Sequence, residues 1–268
     1  MSRWRDTYGP WALITGASSG IGAELAKQVT ARGLNIILVA RSAAPMEALG
    51  KELSEAHGVE HRVCAVDLSA RGFVDELLPQ IEGLEIGLLV NNAGFTTTGA
   101  LLDYDIQTNA RMIDLNCQAP LLLTHALAPA MRERKRGGVI ITASIVAWGG
   151  AAGWATYNAT KAFDLLLAEG LAAELEPHGV DVLALCPAAT RSGFQAAGGV
   201  REAKDTPLAV RLSVGDVAPV ASAALASLGR TRVVVPGLMN KLMALSMRFL
   251  PRRLNSYILG TFVKLMSH

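Results

Sequence analysis

The chain has 268 residues, of which 51% are hydrophobic and 18% are charged. This length suits one large α/β domain or two small ones, and a half-hydrophobic composition with 26 glycines is typical of a folded chain rather than a disordered one. The net charge of +2 is too small, and the Lys and Arg residues are too scattered, to predict nucleic-acid binding.

Short apolar runs rich in β-branched residues alternate with longer amphipathic segments along the chain. The runs predict strands at residues 11–15, 35–40, 62–66, 86–90, 139–143, 180–186 and 233–235. The segments between them predict helices at residues 20–32, 44–57, 72–81, 106–134, 153–177 and 214–228. The alternation predicts the α/β class: a single doubly wound Rossmann-type domain, with a parallel sheet of about seven strands and helices on both faces.

The first predicted strand runs into a glycine-rich turn that opens the first helix. Glycines there permit a tight turn, close approach of a pyrophosphate and close helix–strand packing, and the helix N-terminus offers free N–H groups. An ordinary glycine-rich turn is the alternative, but the position in the first strand–helix unit favours dinucleotide binding. The expected cofactor contacts are Gly16, Ser18, Ser19, Gly20, Ile21 and Gly22.

The end of the second strand indicates which nicotinamide cofactor is preferred. An acidic residue about 20 positions past the glycines would bind the ribose 2′-hydroxyl, whereas an Arg accommodates a 2′-phosphate. Here the strand ends in Val39-Ala40-Arg41-Ser42, and no Asp or Glu occurs between Glu24 and Glu47. The sequence therefore predicts NADP(H) over NAD(H), with contacts from Arg41 and Ser42. A solvated loop arginine is the alternative.

Three further segments follow later strands, at the sheet edge where open α/β sheets bind ligands. Asn91-Asn92-Ala93-Gly94 follows the fourth strand, Ser144 ends the fifth, and Tyr157-Asn-Ala-Thr-Lys161 lies on the helix after it. The i, i+4 spacing places the phenol and the ammonium on one helix face. Because the reference pKa of tyrosine is near 10, a neighbouring cation is needed for proton exchange at neutral pH, and Lys161 is placed to lower that pKa.

Together these motifs resemble the short-chain dehydrogenase/reductase family, in its common form with Thr-Gly-x-x-x-Gly-x-Gly, Asn-Asn-Ala-Gly and Tyr-x-x-x-Lys; the resemblance covers residues 8–236. It implies hydride transfer between NADP(H) and a carbonyl or alcohol carbon, with Tyr157 as general acid and base. By the same resemblance Ser144 orients the substrate oxygen, Lys161 also holds the nicotinamide ribose, and Asn116 places a water that links Lys161 to solvent. The structural alternatives are a strand-end cap for Ser144, a helix-backbone bond for Asn116 and a solvated charge for Lys161. An alternative function is a catalytically weak NADP(H)-sensing regulator of the same fold.

The resemblance extends the cofactor contacts beyond the glycine turn. The additional contacts that it implies are Asp67, Leu68, Asn92, Ala93, Gly94, Tyr157, Lys161, Pro187 and Thr190. One departure stands out, because the usual Pro-Gly after the sixth strand is Pro187-Ala188 here. A positive φ at Ala188 would be strained, which puts the local backbone path and Thr190 in doubt.

The substrate region is expected to be apolar, with residues 188–212 as a lid. The expected lining is Phe95, the threonines at 96–98, Ile145, Val146, Trp148, Trp154 and Phe194. Arg191 is a candidate anchor for a charged substrate group. The lining favours a hydrophobic ketone, an aldehyde or a 3-oxoacyl group.

Residues 237–268 form an apolar and cationic extension that we expect to be helical and to belong to the same domain as residues 1–236. The segment is rich in Leu and Met and carries Lys241, Arg248, Arg252, Arg253 and Lys264. A pocket wall or a subunit contact is favoured over peripheral membrane contact.

Three well-separated cysteines in apolar surroundings, Cys64, Cys117 and Cys186, predict buried free thiols and a cytoplasmic location. The histidines show no metal-ligand spacing, so no metal site is expected. Neither a signal peptide nor an apolar run of about 18 residues is visible, so no membrane span is expected. The resemblance implies a homodimer or homotetramer that acts on a small molecule.

Overall fold

A computed structural model describes residues 3–191 and 214–266 of the chain. Seven parallel strands form a sheet in the order β3-β2-β1-β4-β5-β6-β7. The strands are β1 (Trp11–Thr15), β2 (Asn35–Ala40), β3 (His61–Ala65), β4 (Ile86–Asn91), β5 (Gly137–Thr142), β6 (Val180–Leu185) and β7 (Val233–Val234). The predicted doubly wound α/β fold is therefore confirmed.

Helices connect the strands and continue beyond the last one. They are α1 (Arg3–Tyr8), α2 (Gly20–Thr30), α3 (Ala43–His57), α4 (Phe73–Leu77), α5 (Ile106–Ile113), α6 (Ala119–Arg134), α7 (Ala155–Leu175), α8 (Val217–Ser227), α9 (Leu238–Phe249) and α10 (Arg252–Met266). Short 3₁₀ turns occupy Leu78–Ile81, Leu101–Asp103, Ile145–Trp148 and Glu176–His178, and a π-helical turn occupies Asp114–Gln118.

The predicted elements are all present, with local differences that have physical causes. The long helix predicted at 106–134 is continuous through α5 and α6, but it contains the π-helical turn. The helix predicted at 153–177 begins at Ala155, and its last turn becomes a 3₁₀ turn that contains Pro177, which cannot donate a helical hydrogen bond. The prediction of helix at residues 214–216 is wrong, because Gly215 pairs with Thr190 in a β-bridge. Helix α1 was not predicted.

The sheet is covered on both faces by apolar helix surfaces. On one face, Leu25 and Val29 of α2 pack with Met46 of α3 and Val220 of α8. On the other, side chains of α4, α6 and α7 form the second layer: Phe73, Leu77, Leu123, Met131, Leu165 and Ala168. Strand order reverses between β1 and β4, so the connections that follow these two strands lead to opposite faces of the sheet and leave a crevice between them, the usual ligand position in such sheets.

A third apolar cluster lies beyond the carboxyl edge of the sheet and joins the C-terminal helices to it. Met112 of α5 and Tyr157 of α7 meet Met247 of α9 and Leu259 of α10 there. Within the described ranges, no helix is long and apolar enough to cross a membrane.

Candidate active site

One cavity of about 740 Å³ runs along the carboxyl edge of the sheet, from the glycine turn to the C-terminal helices. This volume lies within the ordinary range for cofactor and substrate sites. Most of the predicted cofactor contacts line it: Gly16, Ser18, Ser19, Gly20, Ile21, Arg41, Ser42, Asp67, Leu68, Asn92, Ala93, Gly94, Tyr157, Lys161, Pro187 and Thr190.

The glycine turn is shaped by close backbone contacts that side chains would block. Gly16 and Gly20 have φ of +67° and +59°, values that L-residues rarely adopt. A Cβ on Gly16 would lie 2.9 Å from the Cα of Ala93. Gly22 is the predicted turn contact that does not line the cavity. A Cβ there would lie 2.3 Å from the carbonyl oxygen of Gly16, so Gly22 lets α2 pack against the turn.

Thr15, which the sequence left outside the predicted contacts, ties the glycine turn to the end of β4. Its hydroxyl accepts hydrogen bonds from the backbone N–H groups of Asn92 and Ala93, both at 2.9 Å, and donates to the carbonyl of Val90 at 3.2 Å. The side-chain amide of Asn92 donates to the Thr15 carbonyl at 3.1 Å. These bonds fix the two sides of the crevice relative to each other.

Arg41 and Ser42 lie at the end of the cavity farthest from the C-terminal helices, together with Asp67 and Leu68. Arg111 also lines this end, and its Nη2 lies 3.4 Å from Oδ2 of Asp67. Burial alone would raise the pKa of Asp67, but hydrogen bonds from Ser69 and the charges of Arg111 and Arg41 hold it below its ordinary value. This end of the cavity therefore carries two guanidinium groups and one ionised carboxylate.

Ser144, Tyr157 and Lys161 converge on the middle of the cavity. Ser144 caps the 3₁₀ turn Ile145–Trp148, since its hydroxyl accepts from the Val146 N–H at 3.4 Å, and it also faces Tyr157. Ser144 therefore caps this turn and also lines the candidate active site. Burial raises the pKa of Tyr157, although the charge of Lys161 and a hydrogen bond with Ser144 oppose that shift. The expected lowering by Lys161 is present but is outweighed by burial.

Lys161 is a buried ammonium held by two acceptors, so its reading as a solvated charge is wrong. Its Nζ donates to the carbonyl of Thr142 at 2.8 Å and to Oδ2 of Asp164 at 2.9 Å. Burial alone would lower the pKa of Lys161, but the charges of Asp164 and Tyr157 and the bond to Asp164 raise it. Sequence analysis did not identify Asp164, although its i, i+3 spacing from Lys161 was visible.

Asn116 lies behind the cavity, in the π-helical turn. Its Oδ1 accepts from the Phe95 N–H at 3.0 Å, and its Nδ2 donates to the Phe95 carbonyl at 3.0 Å and to the Thr160 hydroxyl at 3.1 Å. The side chain thus ties the loop after β4 to α7. Its amide is directed at these groups rather than at Lys161. The backbone that it binds belongs to the loop after β4 and not to a helix, so the contacts differ from the helix-backbone alternative.

Pro187 and Thr190 line the cavity despite the Pro-Ala departure. Within residues 3–191 and 214–266, Lys135 is the single non-glycine residue with a positive φ. The φ of Ala188 is therefore not positive. The expected strain at Ala188 is therefore absent. The carbonyl of Pro187 accepts from the N–H of Ile145 at 3.0 Å, which holds this segment beside Ser144.

The far end of the cavity is apolar. Four predicted substrate residues line it, Phe95, Ile145, Val146 and Trp154, together with Thr96. Trp148 does not line the cavity, and its ring lies 5.6 Å from the guanidinium carbon of Arg248. Arg191 donates to Oδ1 of Asp216 at 2.8 Å and is also absent from the lining. Phe194 and most of the expected lid at 188–212 lie outside the described residues.

The C-terminal helices provide one wall of this end. The lining residues from this region are Asn240, Met243, Ser246, Met247, Leu250, Asn255, Ile258, Leu259 and Phe262. Sequence analysis placed the segment near the pocket but named none of these residues. The opposite face of α9 exposes large apolar side chains, among them Leu238, Leu242, Leu245 and Phe249. The helices therefore combine a lining face with an outward apolar face.

Comparison with known proteins finds dehydrogenases and reductases similar to this chain. A family model described as short chain dehydrogenase matches residues 10–202. A very-long-chain 3-oxoacyl-CoA reductase from Podospora anserina is 37% identical over 179 residues, which are 65% of this chain and 53% of that protein. One from Anas platyrhynchos is 33% identical over 184 residues, or 67% of this chain and 59% of that protein. The chain spans about half the length of the curated relatives it matches.

Solved structures match over most of the chain. A short-chain dehydrogenase from Sphingobium yanoikuyae in complex with NADPH is 34% identical, covers 90% of this chain and 94% of its own, and has a TM-score of 0.79. A bulky-bulky ketone specific alcohol dehydrogenase from Comamonas testosteroni is 35% identical, with coverages of 91% and 94% and a TM-score of 0.74. A structure concerning 7beta-hydroxysteroid dehydrogenase stereoselectivity is 26% identical, with coverages of 97% and 100% and a TM-score of 0.89.

Proposed function

Because the chain belongs to the short-chain dehydrogenase family, we propose that it is an NADP(H)-dependent oxidoreductase that moves a hydride between nicotinamide and a carbonyl or alcohol carbon. The observation that carries the proposal is the convergence of Ser144, Tyr157 and Lys161 in the same cavity as the glycine turn. An oxidoreductase of this kind needs a dinucleotide cradle and a proton donor within one site. The cavity supplies both.

The glycine turn fits a bound dinucleotide. Positive φ at Gly16 and Gly20 and the free N–H groups at the start of α2 form a cradle for a pyrophosphate. The bound cofactor supplies the hydride in reduction and accepts it in oxidation. All other groups that the reaction needs come from the chain itself.

Tyr157 gives a proton to the carbonyl oxygen in reduction and takes it back in oxidation. Burial raises its pKa in the protein alone, so the phenol is fully protonated at neutral pH and ready to donate. Oxidation needs a lower pKa, and lowering it by three units takes about 4 kcal/mol of differential stabilisation of the phenolate. Lys161 beside Tyr157 lowers the pKa of the phenol, and the positive charge of an oxidised nicotinamide would add to that effect.

Ser144 and Lys161 organise the site around Tyr157. The Ser144 hydroxyl, fixed at the start of its 3₁₀ turn, is a preorganised donor for the substrate oxygen. An ammonium has three N–H donors, and two of those on Lys161 go to Thr142 and Asp164. The third is available within the described chain for a ribose hydroxyl. Asn116 holds the loop after β4, so we assign it support of the site rather than a side-chain contact with water.

NADP(H) is the preferred cofactor in this proposal. Arg41 lines the cavity at the end of β2, where an acidic residue would favour NAD(H). Arg111 adds a second guanidinium at the same end. The NADPH complex of the Sphingobium yanoikuyae relative supports the same choice.

The substrate is a neutral, hydrophobic carbonyl compound. Among the described residues that line the far end, from Phe95 and Trp154 to Met247 and Phe262, none is charged. Such a wall leaves no counter-ion for a carboxylate or phosphate buried there. A bulky ketone, a hydrophobic aldehyde or the acyl part of a 3-oxoacyl compound suits it.

The exposed apolar side chains of the two long helices favour a homo-oligomer. They are Leu121 and Leu122 on α6 and Phe163 and Leu166 on α7.

The C-terminal helices belong to the same catalytic unit, because their inner face closes the cavity. Residues 238–268 contain no Asp or Glu. Flotation with anionic vesicles distinguishes a membrane contact of their outward face from a subunit contact.

The test is NADPH consumption by the purified chain over a panel of bulky apolar ketones, small ketones and keto acids. We expect turnover of the bulky apolar members and little or none of the keto acids. An NADP(H)-sensing regulator would bind NADPH and consume none with any member of the panel. That result would refute the proposal and support the regulatory alternative.

A further inference from the structure

We propose that Asp164 is a positioning residue for Lys161, whose carboxylate fixes the ammonium and keeps it charged while Tyr157 exchanges its proton. The inference rests on the proposed oxidoreductase function and deepens its mechanism. Asp164 does not line the large cavity, so it acts through Lys161 and not by contact with substrate or cofactor.

The ion pair is buried and well oriented. Oδ2 of Asp164 accepts from Nζ of Lys161 at 2.9 Å, and the two side chains are 1% and 5% exposed. Thr142 provides the second acceptor, at 2.8 Å. Both acceptors lie on groups that cannot move freely, a backbone carbonyl at the end of β5 and a short side chain in the middle of α7. They therefore orient the remaining N–H of the ammonium.

An ion pair on the surface contributes little to protein stability, because water solvates each charge when the pair separates. At this site the opposite holds, because an unpaired ammonium buried beside Tyr157 would be strongly destabilised. Lys161 would then lose its proton more readily or leave its position. Asp164 prevents both.

The second carboxylate oxygen of Asp164 takes no part in the ion pair with Lys161. Its Oδ1 is buried without a hydrogen-bond donor in the described chain, and so is Oδ1 of Asn91. Both residues, with Asn116, line a small cavity of about 10 Å³ behind the active site. Among the described residues, Oδ2 is therefore the carboxylate oxygen through which Asp164 acts on its surroundings.

The charged and titratable groups that face Asp164 allow the sign of a pH effect to be worked out. They are Lys161 and Tyr157 on α7, Cys117 on the π-helical turn and Cys186 after β6. Burial raises the pKa of each thiol to about 12, so both are neutral during catalysis. Burial also raises the pKa of Asp164 to about 6, against the charge of Lys161, so its carboxylate is ionised above that pH.

Removal of this negative charge lowers the pKa of both remaining groups. Lys161 loses the partner that raises its pKa, and Tyr157 loses a neighbour that disfavours its phenolate. Carbonyl reduction needs the phenol and the ammonium protonated. The rate of carbonyl reduction must therefore begin to fall at a lower pH on the alkaline side of its pH profile, whichever of the two groups titrates first.

The test compares Asp164→Asn with Asp164→Glu and with Glu174→Gln, an exposed carboxylate on the same helix. In Asp164→Asn we expect the alkaline limb of NADPH-dependent reduction to move down by about one pH unit. We expect kcat to fall about tenfold, by more than the KM for NADPH rises. Asp164→Glu should return the alkaline limb to its wild-type pH, and Glu174→Gln should have the wild-type pH profile and kcat. A folded Asp164→Asn protein with the wild-type pH profile would overturn the proposal, because a packing role alone would not move that limb.

A second measurement covers the case in which Asp164→Asn does not fold. Carbon-13 at the lysine ε position of the wild-type protein reports the charge of Lys161, and Lys161→Arg assigns its signal. We expect the signal to stay in its protonated form beyond pH 10, near the ordinary pKa of lysine. Titration of Lys161 below about pH 10 would overturn the proposal. A wild-type chain without any carbonyl turnover would refute the proposed function instead, and this signal would still report on the ion pair.

Discussion

The replacement Gly22→Ala tests whether the glycine turn is built as a phosphate cradle. The added Cβ would lie 2.3 Å from the carbonyl oxygen of Gly16 and 2.7 Å from Nδ2 of Asn92. Cβ atoms in proteins essentially never lie within 3.0 Å of another heavy atom, so Gly16 must shift by at least several tenths of an ångström. Overpacking of this kind costs about 1–3 kcal/mol of stability.

The shift also reaches the cofactor, because Gly16 forms part of the cradle. A displacement of that size lengthens the N–H bonds to a phosphate, and each charge-assisted bond contributes about 1.5–3 kcal/mol. We therefore expect the NADPH Kd of Gly22→Ala to rise about 10–100-fold. Its Tm should fall by about 2–10 °C.

Calorimetric titration with NADPH and thermal unfolding measure both effects. Gly170→Ala is the matched control, because a Cβ on Gly170 in the middle of α7 meets nothing within 4 Å. That variant should keep the wild-type NADPH Kd, because Gly170 does not line the cavity. A Gly22→Ala protein with the wild-type Tm and Kd would show that the close packing of the turn has no role in binding.

Three further predictions concern the two ends of the cavity and its centre. Arg41→Ala should raise the KM for NADPH about tenfold and leave that for NADH unchanged, and equal rises in both would exclude a 2′-phosphate contact. Because burial raises the pKa of Tyr157, the difference in phenolate absorbance between wild type and Tyr157→Phe should appear above pH 10 without cofactor and at lower pH with NADP⁺. Ionisation below pH 10 in the cofactor-free protein would contradict this direction. Met247→Ala, in the cavity wall, should raise the KM for bulky ketones several-fold, whereas Leu245→Ser on the outward face of α9 should not. Equal effects of the two would indicate that α9 acts only through packing.

The sheet and the cofactor end were predictable because their signals are local. Strands buried on both faces are continuous apolar runs, and the turn at Gly16–Gly22 follows directly from its glycines. The spacing of Tyr157 and Lys161 also specified their shared helix face. These features depend on neighbouring residues in the chain and on little else.

Burial and long-range contacts were not predictable in the same way. The charge of Lys161 beside Tyr157 was visible in the sequence, but the burial that outweighs its effect on the Tyr157 pKa was not. Asp164 could equally have been a solvated helix residue until its surroundings were known. The lining residues of α9 and α10 were not named, because apolar side chains occur on both faces of these helices.

The measurement that tests the central claim most directly is NADPH consumption by Tyr157→Phe with a ketone that the wild type reduces. The substitution removes only the hydroxyl, so the buried ring and the cavity walls remain. We expect kcat to fall by at least about 100-fold while the NADPH Kd stays within about twofold of the wild-type value. Residual turnover above a few per cent, with NADPH still bound, would contradict the role of Tyr157 as the proton donor.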